Sequence, residues 1–342
     1  MTSNARELAQ IPSTPSGRRN LIINGAMEVA QRGTSSTFSN GNAGYKVADR
    51  WIIAEAGTDS FVFDITQSTD APDDFAYSYK VDCTTADASL GTGTQASLEQ
   101  KIEAQDLQHL NYGTSSAKSL TLSFHVKSSK TGTYIVWFFQ DDDSRSISAA
   151  YTINSANTWE KKTITIAGDT TGVIDNNNES GLRVRFVLFA GTDYTSGTLQ
   201  TSWAATSGND ANRYVGQVNL ADNTSNEWYV TGVQLEVGPV GTEFEHRSFG
   251  EELQLCKRYF QNHATTSAIQ YMAFPYASFS GTKYFDLTWP VEMRAAPTVT
   301  VSSWQGNATP TVYNANQRAC TLSGSTQFYA NSSSTFTADA EL

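Results

Sequence analysis

The chain has 342 residues, with 23 basic against 34 acidic side chains for a formal net charge of -11, and only 17% of its residues are charged. An acidic excess repels a phosphate backbone, so nucleic acid is excluded as a partner. No apolar run approaches the roughly 18 residues of a membrane-spanning helix, so membrane insertion is excluded too. At this length two domains are expected, each able to bury its own core, and the many Tyr, Phe, Thr and Ser residues favour β structure.

Residues 1–19 (MTSNARELAQIPSTPSGRR) read as an arm rather than a domain, with Arg6, Leu8 and Ile11 as the side chains that would dock it onto another protein. Met1 to Gln10 has no apolar core of a secretory signal, so release by cell lysis is expected rather than export. From Asn20 the grammar is β. Strand-like runs are predicted at Asn20–Ala30, Tyr45–Ala54, Ser60–Gln67, Tyr77–Cys83, Ala96–Glu103, Ser119–Lys127, Gly132–Gln140, Trp159–Ile166, Leu182–Ala190 and Glu227–Val237. Leu120, Leu122, Phe124 and Val126 show the period-two alternation that gives a strand one apolar face. Separated by Gly/Asn/Asp/Ser turns, these runs predict an antiparallel sandwich with jelly-roll connections over residues 20–247, and Asn209–Asn226 is predicted to be a long loop.

The grammar changes between Trp228 and Phe260. Gly238, Pro239 and Gly241 stop the last strand, and Ser248 with Glu251 forms a capping-box pattern before a short linker helix over residues 248–260. A second, smaller β-sandwich is predicted for residues 261–342. Cys83, Cys256 and Cys320 contain no CxxC and are expected to be buried free thiols. His109, His125, His246 and His263 show no metal-ligand spacing. Trp51, Trp137, Trp159 and Trp228 sit in strand patterns and are expected in the core. Glu99 and Glu103 share a strand face and Asp141–Asp143 form a run; solvated strand-edge charge and a turn are the expected roles, with a weak cation site as the alternative for the run.

Several strings resemble bacteriophage fibre proteins. Asn20–Glu28 (NLIINGAME), Gln31-Arg32-Gly33, Ala48-Asp49-Arg50-Trp51, Leu120–Lys127 (LTLSFHVK) and Gly232–Gly238 (GVQLEVG) resemble the carbohydrate-binding-module-like, galactose-binding-like jelly roll of phage tail fibres. The QLEVG…FEHRS…EELQLCKRY order is similar to the junction in such proteins, and Met293–Val299 and Phe336–Leu342 resemble their tip domain. The resemblance implies a non-enzymatic virion protein made in the host cytoplasm, a homotrimer, attached to another virion protein through residues 1–19 and to a host surface glycan. A head fibre or capsid decoration protein of the same fold is the alternative, and a glycan-depolymerising tailspike a further one. Modules of this shape often hold a structural calcium, for which Glu28 would be a ligand, although Val230-Thr231-Gly232 stands where a second acidic ligand is expected; otherwise no cofactor is implied. For the glycan, loop aromatics are the candidates because a sugar ring stacks on an exposed aromatic face. They are Trp203 and Tyr214 in the first unit, and Tyr276, Tyr284, Trp289 and Trp304 in the second. Leu253, Leu255 and Tyr259 of the helix are the candidate oligomer interface.

Overall fold

The computed structural model describes residues 18–263, 282–302, 305–306, 309–324, 328–329 and 335–342. Arg6, Leu8, Ile11, Tyr276 and Trp304 therefore lie outside the described residues. The first unit contains β1 (Ser35–Ser39), β2 (Gly44–Tyr45), β3 (Ile52–Ala56), β4 (Val62–Ser68), β5 (Ser78–Thr85), β6 (Gln95–Glu103), β7 (Leu120–Ser128), β8 (Gly132–Gln140), β9 (Arg145–Ile153), β10 (Glu160–Ile166), β11 (Ser180–Ala190), β12 (Ala204–Ala205) and β13 (Glu227–Val237). They form two antiparallel sheets, six-stranded in the order β1-β4-β5-β13-β7-β10 and seven-stranded in the order β12-β9-β8-β11-β6-β3-β2. The chain passes repeatedly from one sheet to the other, as a jelly roll requires.

The inward faces interleave into one continuous core. Leu120, Leu122, Phe124 and Val126 of β7 meet Leu182, Val184, Phe186 and Leu188 of β11 there. Phe186 lies edge-on to Phe124 at 5.0 Å and also touches Trp51 and Trp228, both fully buried. Removing such a ring costs about 3–5 kcal/mol. In β13 the register shifts between Thr231 and Gln234, and Gly232 adopts φ +59. A Cβ there would sit 2.5 Å from the Phe75 ring, so only glycine serves.

The second unit carries β14 (Phe260–Asn262), β15 (Lys283–Thr288), β16 (Thr298–Ser302), β17 (Gln305–Gly306), β18 (Thr311–Ala315), β19 (Ala319–Gly324), β20 (Phe328–Tyr329) and β21 (Thr335–Asp339). These make small antiparallel sheets, β14-β21-β16, β15-β19-β18 and β17-β20, over a core of Trp289, Met293, Cys320, Leu322, Phe336 and Ala338. Between the units, Phe249–Lys257 is helical, and the Ser248 and Glu251 side chains close a capping box.

Two expectations are corrected, and two strands were missed. Asn20–Ala30 is not a strand: Asn24 and Met27 take positive φ, and the backbone is held by side chains. Gln100 accepts from Ile23 N–H and donates to its carbonyl, Glu252 accepts from Asn24 N–H, and Asn20 brackets β13 by donating to Val233 O and accepting from Leu235 N–H. Strands β1 and β9 were missed: Ser-rich Ser35–Ser39 has a single apolar side chain, whereas Arg145–Ile153 does alternate, with Ile147, Ala149, Tyr151 and Ile153 facing the core. The helix turns its apolar side inward: Cys256 and Tyr259 are buried with Ile23 and Val29, and Leu253, Leu255 and Leu342 pack against them. Tyr259 is thus covered within the chain and is not open to a second subunit, and Leu253 and Leu255 are half-buried in the same contact.

The seam between the units is built on two arginines. Arg50, buried and at φ +72, lies 3.4 Å over the Tyr259 ring, ion-pairs with Glu341 and donates to Lys101 O at 2.7 Å. Arg32 lies 3.6 Å over the Phe260 ring and bridges Asp339 at 3.0 Å and Glu341 at 3.3 Å. Asp49 is buried beside them, accepting from Gln31 N–H and from the Gln31 side chain. Burial pushes its carboxyl up to about 7, against the opposing pull of Gln31 and Arg32. A raised folded-state pKa means the native state holds the proton longer than the unfolded chain. The contribution of Asp49 to stability is therefore present at low pH and is lost as pH rises from about 4 to about 7. Urea unfolding between pH 5 and pH 8 should accordingly show a shallower decline for Asp49→Asn than for the parent; equal slopes would sink the assignment.

Candidate functional site

The described residues present one face where large aromatics stand exposed among polar groups, the outer side of the sheet β15-β19-β18. In β15, Tyr284 and Asp286 point outward while Leu287 packs toward the core. In the central strand Cys320 and Leu322 are buried in that core, which leaves Thr321 and Ser323 on the outer side. The pairing sets Tyr284 opposite Ser323 and Asp286 opposite Thr321. On the other flank Thr311 faces Ser323 and Asn314 faces Thr321, with Tyr313 the extra residue of a register shift. Such a bulge lets two successive side chains face the same way. Tyr313 and Asn314 are both exposed, whereas Val312 and Ala315 pack inward.

The result is a corner of two rings beside hydrogen-bonding groups. Tyr284 is 56% and Tyr313 67% exposed, and their rings meet at 4.9 Å with planes 68° apart. Thr321 donates its hydroxyl to one Asp286 oxygen at 2.6 Å. Apolar ring faces, a carboxylate, hydroxyls and an amide are what a pyranose requires, an apolar C–H face on one side and hydroxyls on its edge.

The other proposed aromatics are differently placed. Tyr214 is fully buried against Ile135, Trp137 and Val187, its hydroxyl meeting Arg185 at 3.2 Å, so it offers no ring to a ligand. Trp203 is half-buried, edge-on to Tyr112 at 5.8 Å, and donates to Ala167 O, closing one margin of the main core. Trp289 is buried and stacks on Phe336 at 5.6 Å. Glu28 is half-buried and its carboxyl is raised by burial and by Glu252. Among the described residues no group of three or more His, Cys, Asp or Glu side chains could hold a metal ion. The Asp run forms a turn: Asp141 pairs with Arg183, and Asp142 and Asp143 accept from the N–H groups of Asp175 and Val173.

A second aromatic and charged face lies on the outer side of the seven-stranded sheet. Register aligns Glu99, Arg185 and Trp137 in one row, and Lys101, Arg183 and Phe139 in the next. Trp137 stacks on Phe139 at 4.9 Å with planes 9° apart, and the Arg185 and Arg213 guanidiniums lie over it at 4.9 and 5.3 Å. Trp137 is only 4% exposed, on the side of β8 opposite to Phe138 rather than in the main core. Trp159 departs from expectation in the other direction, half-exposed and donating to Asp70. Glu99 and Glu103 are not solvated edge charges: both are buried, Glu99 on Arg185 at 2.5 Å and Glu103 on Arg258 at 2.8 Å. Although burial works against its charge, the Tyr214 hydroxyl and Glu99 hold the Arg185 guanidinium above its ordinary value. The signal for this face was the unbroken Trp137-Phe138-Phe139, which must place aromatics on both sides of a strand. Tyr313 was missed because nothing in the chain marks the bulge.

No family model matches the chain, and no curated protein matches it. Solved structures that align with it include the enzymatically active domain of tailspike protein 4 of bacteriophage CBA120, at 15% identity and TM-score 0.31, over 55% of this chain and 19% of that one. A family 11 carbohydrate-binding module from Clostridium thermocellum, in complex with a mixed-linked tetrasaccharide, aligns at 11% identity and TM-score 0.30, over 62% of this chain and 98% of that one. An N-terminal tandem of family 22 modules from Paenibacillus barcinonensis aligns at 15% identity and TM-score 0.31, over 65% and 51%. The chain thus spans 19% of the tailspike it is similar to, and the other two are carbohydrate-binding modules.

The buried row on the seven-stranded sheet is structural in character. Arg185→Met leaves Glu99 buried with a single distant arginine at 3.8 Å, and is expected to cost about 3 kcal/mol in urea unfolding. A loss below 0.5 kcal/mol would show that the pair carries little of the fold.

Proposed function

We propose that this chain is a non-catalytic, glycan-recognising protein of a bacteriophage fibre, which attaches the particle to a host surface polysaccharide. The observation that carries the reading is the exposed Tyr284–Tyr313 corner with Asp286, Thr321 and Asn314 beside it. The order of fibre-like motifs from Asn20 to Leu342 supports the virion context. A non-catalytic role is favoured by the commitment of Glu99, Glu103 and Asp141 to arginines, which leaves these carboxylates no free role as acid and base. In this reading the arm, residues 1–19, docks onto another virion protein. Arg18 and Arg19 fasten the root of that arm to the jelly roll, Arg18 donating to Asn20 O and Leu21 O, and Arg19 pairing with Glu236 at 3.2 Å. The subunits assemble as a homotrimer, with Val240, exposed in the loop after β13, and Phe249, exposed in the first turn of the helix, as contact residues.

Each aromatic on such a face contributes on the order of 1–2 kcal/mol, roughly tenfold in affinity. Tyr284→Ala and Tyr313→Ala should each weaken retention on host polysaccharide about tenfold while leaving the melting temperature unchanged, since both side chains are exposed. Tyr284→Phe should retain most of the binding, and undiminished binding by the double alanine variant would refute the site. Incubation of the protein with the same polysaccharide should release no reducing ends. Sedimentation at micromolar concentration should give a trimer that Phe249→Asp weakens; a monomer would refute the assembly.

A further inference from the structure

We infer that the Tyr284–Tyr313 face selects neutral sugar rings and discriminates against uronic acids and other anionic glycans, an inference that rests on the site assignment above. The argument is electrostatic and local. Charges beyond about 8 Å are largely screened at physiological salt, so the formal -11 of the whole chain matters less than the charges on the face itself. Among the described side chains brought together there by pairing, Asp286 is the charged one, and Thr311, Asn314, Thr321 and Ser323 are neutral.

The arginine nearest in sequence, Arg318 in the β18–β19 turn, already pairs with Glu292 at 3.3 Å. A carboxylate on the sugar would meet the Asp286 carboxylate, held in place by Thr321, while the Arg318–Glu292 pair stands largely in solvent. A neutral ring meets the opposite situation. One Asp286 oxygen accepts from Thr321, and this bond orients the carboxylate while leaving its remaining lone pairs for sugar hydroxyls. Charge-assisted hydrogen bonds of that kind are about twice as strong as neutral ones. The same carboxylate thus strengthens a neutral ligand and opposes an acidic one. The two tyrosine rings at 68° add a second filter, since a single flat platform would accept any extended chain, whereas a corner takes a ring whose neighbour turns away from it.

The test uses the full chain and two matched probes, a galactose tetramer and a galacturonate tetramer, together with glucose and mannose tetramers, with affinities measured by calorimetry at low and at high salt. At least one neutral tetramer should bind, and the galacturonate tetramer should bind roughly tenfold or more weakly at low salt than the galactose tetramer, a gap that narrows at high salt. Asp286→Asn should reduce binding of the neutral ligand several-fold and improve that of the galacturonate tetramer. Equal or tighter binding of the galacturonate tetramer, or no binding by any neutral tetramer, would overturn the inference. Binding that is undiminished in the Tyr284→Ala, Tyr313→Ala double variant would instead overturn the site assignment itself, so the two failures are distinguishable.

Discussion

The junction of this protein depends on a charge removed from water. The Arg50 guanidinium is buried, and a buried cation without a partner costs several kcal/mol. Three groups around it offset much of that cost, although its Nε makes no hydrogen bond. The Tyr259 ring covers one face, Glu341 supplies the countercharge and the Lys101 carbonyl accepts a further N–H. Those partners come from the end of the linker helix, from the last residues of the second unit and from the middle of the seven-stranded sheet. Satisfying one guanidinium therefore requires all three to be in place together. Arg32 repeats the arrangement over Phe260, with Asp339 and Glu341 as its acids.

That requirement explains why the connection between the units is a helix with its apolar side turned inward. Cys256 and Tyr259 must lie against Ile23 and Val29 for the Tyr259 ring to reach Arg50. The irregular segment after Asn20 serves the same end, since a regular strand there would lack the turns at Asn24 and Met27. Its backbone groups are met by Asn20, Gln100 and Glu252, polar side chains that would be costly to bury without such partners.

Much of this was legible in the chain, and the misses share a physical cause. Period-two alternation located the core strands because an inward residue every second position leaves a strong trace, as in Leu120–Val126. The capping box at Ser248 and Glu251 was equally clear, because it is a local hydrogen-bond pattern. What could not be read was anything decided by a partner distant in sequence. The apolar Asn20–Ala30 looks like a strand until Gln100 and Glu252 are seen to hold it otherwise. Glu99 and Glu103 look solvated until Arg185 and Arg258 arrive. For the candidate site, Tyr284 was legible as an aromatic of the second unit able to stack on a sugar, although it lies on strand β15 rather than in a loop. Tyr313 was not, because its position depends on a bulge in the pairing of β18 with β19.

That bulge separates two kinds of selection acting on one strand. Val312 and Ala315 answer to the core, while Tyr313 and Asn314 answer only to whatever meets the surface. The side chains at the latter two positions can be exchanged without a change in packing volume, so the chemistry of this face can vary at little cost in folding. Loss of a single residue would have the opposite effect, since it would remove the extra position, restore regular pairing and erase the corner in one step.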